Sequence, residues 1–69
     1  MLTYDFAKVP KGSLYEHLYT FIRDDIKAGK LAPGEKLPSK RVLAKHLGLS
    51  TITVESAYAQ LISEGYVYS

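Results

Sequence analysis

The sequence predicts a mainly α domain of three helices, with a tight turn between the last two and a short strand after the third. Three observations predict it. Apolar residues recur at helical spacing in three separate segments. Each of these segments opens on a serine, at Ser13, Ser39 and Ser50, and closes at a glycine, Gly29, Gly48 and Gly65. Only Gly48 and Leu49 separate the second segment from the serine that opens the third, so those two helices must meet at a sharp angle.

Residues 1–12 have no helical period. Leu2, Tyr4 and Phe6 alternate with Thr3 and Asp5, as in a short strand or an arm packed on the body, and Gly12 ends the segment. Ser13 and Glu16 have the spacing of a capping box, which predicts a first helix over roughly 14–28 with an inward stripe of Leu14, Leu18, Phe21, Ile22 and Ile26. Gly29 suits the left-handed position after it. Residues 30–38 form a connector. Pro33-Gly34 signals a turn, and Pro38 discourages helix at Leu37. Ser39 then caps a second helix, roughly 40–46, with Val42, Leu43 and Leu47 inward. Gly48 turns the chain and Leu49 plugs the turn. Ser50 caps a third helix, roughly 51–64, that buries Val54, Ala57, Tyr58, Leu61 and Ile62. At 100° per residue, Ile52, Glu55, Ser56 and Ala59 fall on its opposite face. After Gly65, Tyr66-Val67-Tyr68 reads as a strand. A lone strand needs a ladder partner, which is either the N-terminal segment, residues 35–37, or a continuation of the chain; continuation is the preferred reading.

Bulk properties narrow the function. The 69 residues and 46% apolar content fit one small domain. At this size, folding buries only about 60% of the unfolded surface, so stability is modest. There is no cysteine, which excludes disulfides and thiolate metal sites and fits a reducing cytoplasm. No apolar run approaches the roughly 20 residues of a membrane span, and the N-terminus lacks the pattern of a signal peptide. No membrane partner is expected. The net charge of +2 is uninformative, but its distribution is not. Between Lys36 and Val54 stand Lys36, Lys40, Arg41 and Lys45, with His46 beside them and no Asp or Glu. Such a stripe attracts a polyanion.

A helix that opens on small polar side chains, braced by a shorter helix, is the geometry that enters the major groove of DNA. The residues suit that task. Arg41, in the first turn of the second helix, has the fork that pairs with guanine O6 and N7 or clamps a phosphate. Lys36, Lys40 and Lys45 suit phosphate as point charges. Ser39 and Ser50 cap helices whose N–H groups can also receive phosphate. Thr51, Ile52 and Thr53 stand where base edges would lie, and a methyl there can pack on thymine. Glu55 either accepts from cytosine N4 or only sets helix polarity; the second reading is preferred. Tyr58 is expected in the core with its hydroxyl reaching toward a phosphate. His46 reads as a surface residue without metal partners. No serine, histidine and aspartate arrangement and no phosphate loop is present, so no enzyme is expected within these residues. Two other binding readings compete. A helical interaction module would present Ile52, Glu55 and Ala59 to a partner protein. An RNA-binding module would need exposed stacking aromatics, which the basic stripe lacks.

The string LPSKRVLAKHLGLSTITVESAYAQLISEGYV resembles the N-terminal domain of GntR-type bacterial transcription regulators. The resemblance runs from about Ser13 to Val67. It rests on Leu37-Pro38-Ser39 with Arg41, on Leu43-Ala44, Leu47-Gly48, Ser50 and Thr53-Val54, and on Glu64-Gly65. Ala57-Tyr58, Gln60-Leu61 and Tyr66 are similar to the MocR branch. The resemblance implies a three-helix winged helix-turn-helix with a short or truncated β wing and the DNA-reading domain at 13–69, which leaves residues 1–12 as an N-terminal arm. It also implies a homodimer of a longer cytoplasmic protein that responds to an effector. For the MocR branch it implies a C-terminal domain similar to aminotransferases that carries pyridoxal 5′-phosphate, a cofactor with no place in these residues. Arg41 matches the family's DNA-contacting arginine. One position departs: where the family often has arginine after the serine that opens the third helix, Thr51 stands here, and base preference is expected to shift with it.

Overall fold

The structure is a computed structural model that describes residues 3–7, 9–32 and 35–67. A short 3₁₀ turn, Lys11–Ser13, leads into α1 (Leu14–Lys27). α2 spans Lys40–Leu47 and α3 spans Thr51–Ser63. α3 is the central helix, packed against both α1 and α2.

The core joins Leu18, Tyr19 and Ile22 of α1, Leu43 and Ala44 of α2, and Val54, Ala57 and Leu61 of α3. Leu31, in the connector, is also buried, which its non-helical position concealed. The inward faces are narrower than predicted. Val42 is 48% exposed and Ile62 is 40% exposed. Both lie about 100° around their helices from a fully buried neighbour, Leu43 and Leu61 respectively, and a three-helix body has no fourth element to cover that flank.

Ser13 does not form the predicted capping box. It ends the 3₁₀ turn at φ −117°, ψ 13°, and its side chain makes no cap bond. A capping hydroxyl needs extended backbone to aim back at the helix. Here the chain is already coiled, with the Ser13 N–H bound to the Pro10 carbonyl at 3.0 Å. Gly12 lies inside that turn rather than ending the arm. The other two serines do cap. Ser39 Oγ accepts from the Val42 N–H at 3.2 Å, and Ser50 Oγ accepts from the Thr53 N–H at 3.0 Å.

Gly48 adopts φ 72°, a conformation costly for residues with a Cβ. It allows the Leu49 N–H to reach back to the Ala44 carbonyl at 2.9 Å, so the end of α2 and the turn share one closed structure. α3 closes similarly, with the Gly65 N–H bound to the Ile62 carbonyl and the Tyr66 N–H to the Leu61 carbonyl. Those donors serve the helix end instead of a ladder. Among the described residues there is accordingly no strand, and Tyr66 and Val67 pack irregularly against the core. Tyr68, the rest of that expected strand, lies outside the described residues.

The N-terminal segment is an arm and not a strand in its described part. Tyr4 stacks on Phe21 with centroids 5.2 Å apart, and Phe6 meets the same ring edge-on at 5.5 Å. The Tyr4 hydroxyl donates to Asp25 Oδ2 at 2.8 Å. Leu2, part of the predicted alternation, lies outside the described residues. So does the Pro33-Gly34 turn. On either side of it, the Glu35 N–H donates to the Ala32 carbonyl at 3.0 Å, and the Glu35 carboxylate accepts from the Ala32 N–H at 3.2 Å.

Candidate nucleic-acid interface

Ser39 and Ser50 start α2 and α3 without an acidic residue in either first turn. Each helix therefore presents uncompensated N–H dipoles at its start, which favour an anion. Two ties set the start of α2 against α3. The Tyr58 hydroxyl donates to the Pro38 carbonyl at 2.8 Å. Lys40 forms an ion pair with Glu55 across the two helices.

Tyr58 thus has a role the sequence did not disclose. Its one proton is committed to Pro38, so the expected phosphate contact from this hydroxyl gives way to a positioning role for the α2 start. Burial pushes its phenol up to about 12 from an ordinary 10.0. The phenol of Tyr4 is also raised, first by burial and then by its bond to Asp25. An unfolded chain would ionise these groups near their ordinary value and lose protons that the folded chain retains. Stability must therefore fall as pH rises from about 10 toward about 12. We expect the thermal midpoint to drop across that window, and Tyr58→Phe to flatten part of the drop. Circular dichroism melts check this, and an alkaline slope indifferent to Tyr58→Phe would count against it.

The cations of the stripe differ in availability. Lys36, Arg41 and Lys45 are exposed and have no hydrogen-bond or ion-pair partner among the described residues. Lys40 is held by Glu55, a pairing that neither expected reading of Glu55 foresaw. His46 is exposed at the end of α2, where its Nε2 lies 2.9 Å from Thr3 Oγ1. At the start of α3, Thr51 is exposed and Ile52 is 73% exposed. Thr53 is half-buried, and its hydroxyl shares a 2.8 Å hydrogen bond with that of Ser50, so it serves the helix start in addition to any outside partner. No sequence signal marks the Lys40–Glu55 or Tyr58–Pro38 contacts. They join residues 15 and 20 positions apart, and depend on how the helices are rotated about each other.

A second polar cluster lies away from this face. The Tyr19 hydroxyl donates to the Glu64 carboxylate, which also accepts from Gln60 Nε2 at 3.2 Å. That donation raises the Tyr19 phenol and lowers the Glu64 carboxyl, with Gln60 adding to the latter. The Arg23 guanidinium lies 5.3 Å from the Tyr19 ring centroid, and the Lys27 ammonium 6.0 Å from that of Tyr66. These contacts fasten the end of α3 to α1. Among the described residues no group of His, Cys, Asp or Glu could hold a metal ion, and no helix is long and apolar enough to cross a membrane.

Two capped helices joined by a glycine turn, the second presenting small side chains beside free cations, define a helix-turn-helix domain. Comparison with known proteins gives the family. The family described as "Bacterial regulatory proteins, gntR family" matches residues 14–69. The uncharacterized HTH-type transcriptional regulator YhdI of Bacillus subtilis is 50% identical over 62 residues, which are 90% of this chain and 13% of that protein. The probable rhizopine catabolism regulatory protein MocR of Rhizobium meliloti is 40% identical over 63 residues, 91% of this chain and 12% of that protein. Among solved structures, YtrA from Sulfolobus acidocaldarius, a GntR-family transcription factor, superposes with a TM-score of 0.72 at 42% identity, covering 86% of this chain and 60% of that one.

The chain belongs to the gntR family of bacterial regulatory proteins. It is a DNA-binding helix-turn-helix domain of a transcription regulator. It spans 13% of the length of YhdI and 12% of that of MocR.

Proposed function

We propose that this chain reads a specific double-stranded DNA sequence for a longer, effector-responsive regulator that acts as a homodimer in the cytoplasm. One observation carries the reading: Lys36 before α2, Arg41 in its first turn and Lys45 in its last are exposed without partners among the described residues, and Thr51 and Ile52 are exposed at the capped start of α3. Arg41 reads a guanine edge or clamps a phosphate. Lys36, Lys45 and the N–H groups behind Ser39 and Ser50 hold the backbone. Lys40 joins them when Glu55 releases it. Thr51, Ile52 and Thr53 meet base edges, with the Ile52 methyl groups suited to thymine. The chain acts by binding and not by catalysis.

The much greater length of the relatives supports a further domain that senses the effector and supplies the dimer contact. With MocR among those relatives, we propose that this domain is similar to aminotransferases and holds pyridoxal 5′-phosphate. None of the 69 residues is assigned to that cofactor. A single module without its symmetric mate forfeits avidity, so the chain alone should bind weakly.

The test is a fluorescence anisotropy titration of duplex DNA selected by the protein from a randomised pool, at two salt concentrations. Affinity should fall as salt rises, with a log–log slope of roughly −0.9 for each phosphate neutralised. Lys45→Ala should reduce that slope by about 1 and weaken all duplexes alike. Failure to select any duplex, or an affinity indifferent to salt, would sink the reading.

A further inference from the structure

We propose that Glu55 is a specificity-determining residue that works by withholding Lys40 from the phosphate backbone until a cytosine amine takes its place. The inference rests on the DNA-reading function proposed above and deepens it at the same face. Glu55 is the sole acid in α3, and it stands one turn after Thr51 on the outward flank shared with Ile52 and Ala59. A carboxylate there opposes a polyanion, unless something neutralises it. In the free protein that something is Lys40, at the first position of α2.

Both partners are about half exposed, with side-chain exposures of 47% and 55%. An ion pair in that setting is weak, so another partner of comparable strength can exchange it. DNA offers each side a different replacement. For Lys40 it is a phosphate, present at every sequence. For Glu55 it is an exocyclic N4 amine in the major groove, present only on cytosine. At a site without cytosine in reach, opening the pair would leave the carboxylate unpaired in a negative groove. The pair then stays closed, and Lys40 adds nothing to general affinity. At a site with cytosine in reach, both charges gain new partners at once. Arg41, Lys36 and Lys45 have no such restraint among the described residues and supply the sequence-independent attraction. Glu55 thus makes one cation of the stripe conditional on sequence.

The test compares the wild type with Glu55→Gln, Lys40→Ala and the double variant. Both positions are exposed, and circular dichroism melts verify that each variant folds. The first probe is a mixed-sequence duplex without a selected site. Glu55→Gln should bind it several-fold tighter than the wild type, with a salt slope steeper by about 0.9. Lys40→Ala alone should bind more weakly than the wild type, because Glu55 is then left unneutralised against the phosphates, and the double variant should return to the wild-type affinity and slope. The second readout is selection from a randomised pool. Cytosine should be enriched at one position by the wild type and lost from that position by Glu55→Gln. The proposal is overturned if Glu55→Gln fails to gain on the mixed duplex, if the double variant's slope falls a full unit below that of the wild type, or if the selected cytosine persists without Glu55. A wild type that binds no duplex at all would overturn the DNA-reading function itself, and this proposal with it.

Discussion

Arg41→Ala is expected to weaken binding to the selected duplex by roughly 1–3 kcal/mol, about 5- to 150-fold, and to relax base preference at one position. The size follows from the side chain's situation. Arg41 is exposed at the start of α2 and has no partner within the described protein. No internal interaction must break when it engages DNA, and none is lost when it is removed. The thermal midpoint should therefore stay near wild type while affinity drops. Lys would not substitute well, because a single ammonium cannot reproduce a bidentate contact to guanine O6 and N7. Anisotropy titrations of wild type, Arg41→Lys and Arg41→Ala on the same duplex measure this. If the wild type and both variants bind alike, Arg41 takes no part in base or phosphate recognition.

Leu61→Ala is expected to have the largest effect on stability. Leu61 has no exposed surface and belongs to the core that α3 forms between its two neighbours. Truncating a buried leucine costs about 2–5 kcal/mol, because the lost transfer energy is joined by an unfilled cavity. A chain of 69 residues has a net stability of only roughly 3–10 kcal/mol in all. The midpoint should fall by at least about 10 °C, with partial unfolding near physiological temperature. Val42→Ala is the contrast. It removes two methyl groups from a side chain that is 48% exposed, and should cost less than about 1 kcal/mol. Thermal melts of the pair test the assignment of inside and outside. A Val42→Ala loss as large as that of Leu61→Ala would contradict it.

These two substitutions also mark where sequence reasoning succeeded and where it stopped. Leu61 and Arg41 lie where helical periodicity and cap spacing put them. Val42 and Ile62 were expected inside by the same periodicity, yet both are substantially exposed. A period gives the direction of an apolar stripe, but its width depends on how many elements pack against it. The serine caps divide in the same manner. Ser39 and Ser50 are themselves extended and cap their helices, whereas Ser13 ends a 3₁₀ turn and does not. A four-residue pattern does not reveal which backbone its first residue will adopt.

What the chain carried in one dimension was the order and nature of its parts. Three helices, the glycine turn at Gly48, the caps at Ser39 and Ser50, the acid-free basic stripe and the motif string that names the family all depend on neighbours a few residues apart. Short-range sterics and hydrogen bonding act at that distance, so local sequence suffices. What tertiary structure decided was which charges and hydroxyls remain free. Tyr58 was drawn to Pro38 and Lys40 to Glu55, while Arg41 and Lys45 were left open. Such assignments follow from the rotation of one helix against another. That rotation is set by packing of the whole core, to which no single segment holds the answer.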